Sequence, residues 1–337
     1  MSVLRVGVVG AGGVAARHVR VLGGLDAVRV VGVADPDEQR RTELAASCGA
    51  TAWPHVAALL DSERLDAVYV CVPPGAHGEL EERVLDAGLP LFVEKPLAAD
   101  LTTAERVAAA VAGATVVTGT GYHWRHLSTL ARARELLDGR PVRLAMAYWL
   151  DKVPPPPWWL CRSACGGQMI EQATHVLDLL RLLVGEASTV HAIAGRNGAD
   201  DRPDDRADDR VDDRVDDSTA AVLRFAGGAV ATVAASCLLD RKHRAGVDLV
   251  ASGLRVVLSE ESLHAVGLDV DELVTPRDDP RVTVDRCFVD AVRRGEPSLV
   301  AADYAEALRT HRLACAIDTS TRTGRPVHLG APEGRPE

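Results

Sequence analysis

Residues 4–15 read Leu-Arg-Val-Gly-Val-Val-Gly-Ala-Gly-Gly-Val-Ala. An apolar run that reads as a buried strand ends on Gly10, and the six residues Gly10, Ala11, Gly12, Gly13, Val14 and Ala15 fit the pattern G-x-G-x-x-G/A. A lone match of this kind is weak, but here a strand-like run precedes it and a helical pattern, Val14–Leu22, follows. Gly10 permits a tight turn, and Gly12 lets the backbone approach a pyrophosphate. Ala15 is small enough for close helix–strand packing, and the helix N-terminus offers unpaired N–H groups to phosphates. The loop therefore predicts dinucleotide binding. Asp35 stands 20 residues beyond Ala15, at the end of the next apolar run. A carboxylate there accepts hydrogen bonds from the adenosine ribose and repels a 2′-phosphate, which predicts NAD; Arg40 and Arg41 nearby leave NADP as the alternative.

Outward from this loop, short apolar runs alternate with amphipathic ones. Strands are expected at Leu4–Val9, Val28–Ala34, Ala67–Val72, Leu89–Val93 and Thr115–Thr118. Helices are expected near Val14–Leu22, Asp37–Cys48, Gly78–Ala87 and Thr102–Ala112, the last opened by a Thr102/Glu105 capping box. Strands apolar throughout, alternating with helices, predict a doubly wound parallel α/β sheet covered on both faces.

After Tyr122 the pattern changes. A helix (Leu127–Leu137), a strand (Val142–Leu150), a four-proline loop and a helix from Gly166-Gly167 to Val184 are followed by strand-like segments. Those joined by Gly227-Gly228 and by Ser252-Gly253 read as antiparallel hairpins. Two helices close the chain. The division expected is a dinucleotide-binding domain over 1–122 and an α+β domain with a largely antiparallel open sheet over 123–325. An acidic low-complexity loop spans 199–217.

A chain of 337 residues fits two domains. Its net charge is −10, and Asp200–Asp217, with ten Asp and four Arg, carries −6 of it. This DDR repeat reads as a solvated, poorly ordered loop. No basic stripe suggests a nucleic-acid partner. The seven cysteines are scattered and form no CxxC, so neither a disulfide framework nor a metal site is expected. No run approaches the ~20 apolar residues of a membrane span, and no signal-peptide pattern is visible, which predicts a cytoplasmic protein.

Lys95 follows an apolar strand, within Glu94-Lys95-Pro96. It should lie at the carboxyl edge of the parallel sheet, where open α/β folds bind ligands. A partly desolvated lysine beside a cationic ring should have a depressed pKa, which suits proton transfer. Its alternative is a surface lysine paired with Glu94. Glu171, His175 and Asp178 are spaced by four and three residues, which places them on one helical face. Trp158, Trp159 and Arg162 border the proline loop. Indole faces pack well on sugar C–H faces, and Arg binds hydroxyls or carboxylates; burial as anchors is the alternative for the tryptophans.

The Gly10–Ala15 loop, Pro73-Pro74-Gly75-Ala76-His77, Glu94-Lys95-Pro96 and the Gly166–Asp178 helix together resemble the Gfo/Idh/MocA oxidoreductases, which include sugar and inositol dehydrogenases. The resemblance runs from Val3 to about Leu313. It implies that Lys95 lies near the nicotinamide and the substrate hydroxyl, with Pro73, His77 and Glu94 beside the cofactor. It implies that His175 exchanges the proton of the reacting hydroxyl while Glu171 holds the substrate or tunes the acid–base pair. Many members have Asp where Glu171 stands. Tyr122 and His123 are implied substrate contacts, with packing as their alternative. The implied activity is hydride transfer between NAD(P) and a ring hydroxyl or ketone of a sugar, sugar derivative or cyclitol. The implied assembly is a homo-dimer or homo-tetramer. An NAD-retaining glycosidase and a non-catalytic NAD or sugar sensor are the alternatives on the same fold.

Overall fold

Backbone pairing gathers the strands of the computed structural model, which describes residues 3–196 and 213–330, into two sheets. The chain runs β1 (Leu4–Val9), α1 (Gly13–Gly23), β2 (Val28–Ala34), α2 (Glu38–Cys48), β3 (Thr51–Trp53), α3 (Val56–Ser62), β4 (Ala67–Val70), α4 (Glu79–Asp86), β5 (Leu91–Val93), α5 (Leu101–Gly113) and β6 (Thr118–Thr120). It continues through α6 (Ser128–Leu137), β7 (Leu144–Leu150), α7 (Arg162–Cys165), α8 (Gln168–Glu171), α9 (Thr174–Val184), β8 (Ala187–Gly195), β9 (Ser218–Phe225) and β10 (Val230–Ser236). It closes with β11 (Arg244–Ala251), β12 (Leu254–Ser259), β13 (Leu263–Gly267), β14 (Asp271–Val274), α10 (Pro280–Arg294), α11 (Tyr304–Thr323) and β15 (Val327–His328). Two compact units result: Met1–His126 with Asp278–Arg309, and Leu127–Arg277 with Thr310–Glu337.

The first unit holds six parallel strands in the order β3-β2-β1-β4-β5-β6. The strand order reverses between β1 and β4, a switch point at whose carboxyl edge open α/β sheets bind ligands. One sheet face packs Val6, Val8 and Tyr69 against Ala15 and Leu22 of α1, Leu44 of α2 and Phe288 of α10. The other packs Val68, Val70 and Val93 against Leu59, Val84, Ala104 and Tyr304. Residue 278 brings the chain back to this unit, a segment the sequence places with the second domain. Asp279 caps α10 by accepting from Arg281 N at 2.9 Å, and Pro280 fills its first turn.

The second unit holds nine strands in the order β14-β13-β12-β11-β7-β10-β9-β8-β15. All its ladders are antiparallel except β7 with β10, which run parallel with Ala145 opposite Ala231. Both glycine-marked hairpins form, β9–β10 and β11–β12. Residues alternate buried and exposed along β9 and β10, as a sheet covered on one face requires.

Several local expectations are corrected. Asp100, not Thr102, caps α5, its carboxylate accepting from Thr103 N at 2.8 Å. A carboxylate two residues upstream also meets the helix's positive end, so the helix starts earlier. β6 begins at Thr118, where the expected strand ends. β3, α3, β13 and β14 were not anticipated. Most of the acidic repeat lies outside the described residues. Its last five residues, Asp213 to Asp217, are anchored rather than solvated: Val215 is buried beside Trp159, and Asp216 pairs with Arg162 and Arg196.

Candidate active site

At the turn from β1 to α1, Gly10 has φ +94°, and a side chain there would overlap the Cys71 carbonyl. Both facts demand glycine. Around Gly12 and Gly13, by contrast, a Cβ would meet nothing within 4 Å. The loop therefore presents bare backbone, and no side chain caps the first turn of α1. Its orphan N–H groups suit a phosphate. Ala15 is fully buried against the sheet, whereas Val14 is 42% exposed. A groove of about 900 Å³, lined by Ala11, Gly12, Gly13, Ala16 and Arg40 among others, opens from the loop.

Asp35, just past β2, ties this loop down. Its Oδ2 accepts from Ala11 N at 2.7 Å and its Oδ1 from Asp37 N at 2.8 Å. An ionised carboxylate has about four acceptor sites, so it retains capacity for ribose hydroxyls. Arg41 donates to the Pro36 carbonyl at 3.1 Å, and Arg40 pairs with Asp37 at 3.3 Å. Both arginines are thus engaged, and the Asp35 charge favours a free ribose over a 2′-phosphate. The bare loop and this carboxylate fit NAD. After β4, Pro73 leads into a 3₁₀ turn, Pro74–Ala76, and His77 is buried. His77 Nδ1 lies 2.5 Å from Glu81 Oε1, and Glu81 Oε2 accepts from Gly78 N at 2.6 Å. His77 Nε2 is buried with no hydrogen-bond partner among the described residues.

Glu94 and half-buried Lys95 follow β5 at the same carboxyl edge. Glu94 is no simple surface partner. Its Oε1 lies 2.8 Å from His18 Nε2 and accepts from Arg17 Nη2 at 2.9 Å; its Oε2 accepts from Lys95 N at 3.0 Å. Burial alone would push this carboxyl up, but the His18 hydrogen bond and the charges of His18, Arg17 and Lys95 hold it at about 2. On the other ring edge, His18 Nδ1 lies 2.7 and 2.9 Å from the two Asp285 oxygens. Burial disfavours the imidazolium, yet bonds and charges from Asp285 and Glu94 raise it to about 9. A methyl group on Gly121 would overlap the Glu94 carboxylate. Tyr122 is 1% exposed within the unit's core, and His123 is also buried.

In the second unit, the helix expected from Gly166 to Val184 is broken. Ala173 N donates to Gln168 O, five residues back, and the chain passes from α8 to α9 through this wide turn. Glu171 and His175 consequently do not share one unbroken helical face. Glu171 Oε2 instead accepts from Trp159 Nε1 at 2.8 Å. Trp159 is wholly buried with Cys165, Val215 and Cys237, and partly buried Trp158 packs against this cluster, so the anchor alternative describes Trp159. Arg162 pairs with Asp216 and Asp318. His175, 3% exposed, stacks on Trp149 with centroids 5.9 Å apart and planes at 24°. Lys242 Nζ lies 5.0 Å from the Trp149 ring centre. Asp178 accepts from Thr310 Oγ1 at 2.7 Å, which in turn accepts from Arg181 at 2.6 Å, so it supports the helix.

Sequence reasoning missed His18, Asp285, Gly121 and Trp149. His18 had a signal: it falls on the apolar stripe Ala15, Val19, Leu22 of α1, where an unpartnered imidazole would be costly. Among the described residues, no three His, Cys, Asp or Glu side chains are grouped to hold a metal, and no helix is long and apolar enough to cross a membrane.

Comparison with known proteins bears on both units. Residues 4–122 match the model described as "Oxidoreductase family, NAD-binding Rossmann fold", and residues 124–263 match "GFO/IDH/MocA C-terminal domain". The myo-inositol 2-dehydrogenase of Thermotoga maritima is 28% identical over 188 residues, which is 54% of this chain and only 55% of that enzyme's length. The scyllo-inositol 2-dehydrogenase (NAD(+)) of Bacillus subtilis is 24% identical over 97% of this chain and 96% of its own. The crystal structure of GenD2 from gentamicin A biosynthesis, in complex with NAD, has the same fold. Its TM-score is 0.84 at 24% identity, covering 98% of this chain and 97% of that one.

Proposed function

The chain belongs to the Gfo/Idh/MocA oxidoreductase family, and from that premise we propose that it is an NAD-dependent dehydrogenase of a sugar, sugar derivative or cyclitol. The observation that carries this reading lies within the first unit. Lys95, mounted on an ionised and buried Glu94, stands at the same sheet edge as the bare Gly12–Gly13 backbone and Asp35. NAD, when bound, supplies the hydride acceptor or donor for the carbinol carbon. Gly10, Gly12, Gly13, Val14 and Ala15 with Asp35 hold it, and Pro73, His77 and Glu94 border it. Lys95 polarises the substrate oxygen. His175, its ring plane held by Trp149, takes or returns the hydroxyl proton. Glu171, Tyr122, His123, Trp158 and Arg162 line or support the substrate side. The names of the inositol dehydrogenase relatives support a cyclitol or sugar.

Absorbance of reduced nicotinamide, followed with a panel of sugars and inositols, tests the proposal. Net NADH accumulation supports it. Glycoside cleavage without accumulation replaces it with an NAD-retaining glycosidase, and binding without chemistry replaces it with a sensor. We also place a second copy of this chain on the open face of the nine-stranded sheet, where Leu144, Val222 and Val230 are exposed. A monomeric mass in light scattering, unchanged by Val222→Asp, would refute that dimer or tetramer. We place the protein in the cytoplasm, on the scattered spacing of its seven cysteines.

A further inference from the structure

The support beneath Lys95 draws on distant parts of the chain. Arg17 and His18 come from α1, Glu94 from the end of β5, and Asp285 from α10. Both nitrogens of the His18 ring face carboxylate oxygens, at 2.7 to 2.9 Å. A neutral imidazole has one donor and one acceptor, so only the doubly protonated ring satisfies both carboxylates. Tyr69 and Phe92 close on it with ring centres at 5.4 and 5.2 Å. The remaining polar neighbours are the Arg17 guanidinium, the Tyr69 hydroxyl and the Cys71 thiol. Burial pushes the phenol and the thiol well up, so both stay neutral. The enclosed charges therefore balance: Asp285 and Glu94 against His18 and Arg17.

We propose that His18 and Asp285 are positioning residues for Lys95, acting through Glu94 to fix both its backbone and its charge. Asp285 orients the His18 ring and holds it as a cation. That cation keeps Glu94 ionised despite burial. Glu94 then grips the Lys95 N–H and presents a negative charge beside the ammonium. Gly121 leaves the space in which this carboxylate sits. A merely structural ion pair would need no coupling to Lys95, since buried pairs of this kind add little net stability over apolar replacements. The role rests on the reading of Lys95 as a proton-handling residue, but its test does not.

The chain contains three lysines, Lys95, Lys152 and Lys242. Reductive ¹³C-methylation of the full-length protein therefore gives few lysine resonances, each assignable by Lys→Arg substitution. His18→Gln keeps a donor toward Glu94 without the charge, and His18→Leu removes both. In either variant the Glu94 carboxylate loses the cation that orients it, and the Lys95 resonance at pH 7 moves from its wild-type position. Lys152 and Lys242 do not move. Asp285→Asn shifts Lys95 in the same direction by less. ¹⁵N-labelled histidine in the wild type shows the His18 ring doubly protonated at pH 7. A neutral ring at that pH, or a Lys95 resonance unmoved in His18→Gln, overturns the proposal. Should the His18 variants not fold, Gly121→Ala displaces the Glu94 carboxylate and must move the Lys95 resonance. None of these readouts needs a substrate, so they stand if no sugar or inositol is oxidised. If a substrate is found, kcat falls in the same variants, by up to about 100-fold from misplacement of Lys95.

Discussion

Lys95 and His175 are held in opposite ways. Lys95 rests on a closed chain of charges, Asp285–His18–Glu94, set among the rings of Tyr69 and Phe92. His175 stacks on the Trp149 indole, whose ring centre lies 5.0 Å from Lys242 Nζ, and Asp178 further along α9 accepts from Thr310. A charge chain transmits changes of protonation, whereas a stacked ring transmits only changes of shape. The first support should therefore be sensitive to pH and to charge-neutral substitution, and the second chiefly to the shape of the ring beneath it.

The largest test removes the supported groups themselves. Lys95→Ala and His175→Ala should each reduce kcat by about 10²- to 10⁴-fold, the usual scale of a general acid or base. NAD affinity, measured by fluorescence titration, should survive both. Wild-type turnover in either variant would break the comparison at its root.

Stability against pH separates the two supports next. The His18 cation is raised from 6.5 to about 9 by folding, so its contribution is complete below pH 6.5 and fades as pH rises through 9. The unfolding free energy of the wild type, from urea titrations, should fall across that window by at most ~3.4 kcal/mol. His18→Leu should flatten this slope. Glu94 behaves in the reverse sense: lowered from 4.5 to about 2, its contribution is present above pH 4.5 and is lost as pH falls toward 2.

At the rim of the first region, Asp35→Ala removes an acceptor without touching either support. It should weaken NAD roughly tenfold and narrow the preference over NADP, as loss of a charged hydrogen bond predicts. An unchanged cofactor ratio would contradict the ribose assignment. In the second region, Asp178→Asn should cost about 1–3 kcal/mol with no change between pH 6.5 and 9. The smallest effect is expected from Trp149→Leu, which keeps burial but loses ring stacking worth about 0.5–1.5 kcal/mol. It should lower kcat severalfold while leaving NAD affinity in place.

Much of the first region was legible because its chemistry is local. Gly10, Gly12, Ala15 and Asp35 announce a phosphate loop through spacing alone, and Lys95 follows an apolar run directly. The sheets were legible from periodicity, while β3 and β14, of three and four residues, offered too few positions for a period. The break between α8 and α9 was not legible. It depends on one five-residue backbone bond at Ala173, and no side chain there demands it. Glu171 and Trp159 illustrate the same limit, since a buried indole N–H requires some acceptor but does not say which. His18 and Asp285 each stand on an apolar helical stripe, which marks them as buried, yet 267 residues separate them and only the fold shows that they meet.

The return of α10 has a consequence for how the molecule comes into being. Val284, Asp285, Phe288 and Ala291 belong to the core face against which α1 packs, although some 270 residues separate them from it. On the ribosome, the amino-terminal module therefore emerges with His18 and Glu94 already in place and the counter-ion of the ring still unsynthesised. Closure of that core must await nearly the whole remaining chain, a non-local contact of the kind that slows folding. Phosphate loop and completed core thus mature at different moments of translation, and a fragment ending at His126 would carry the first without the second.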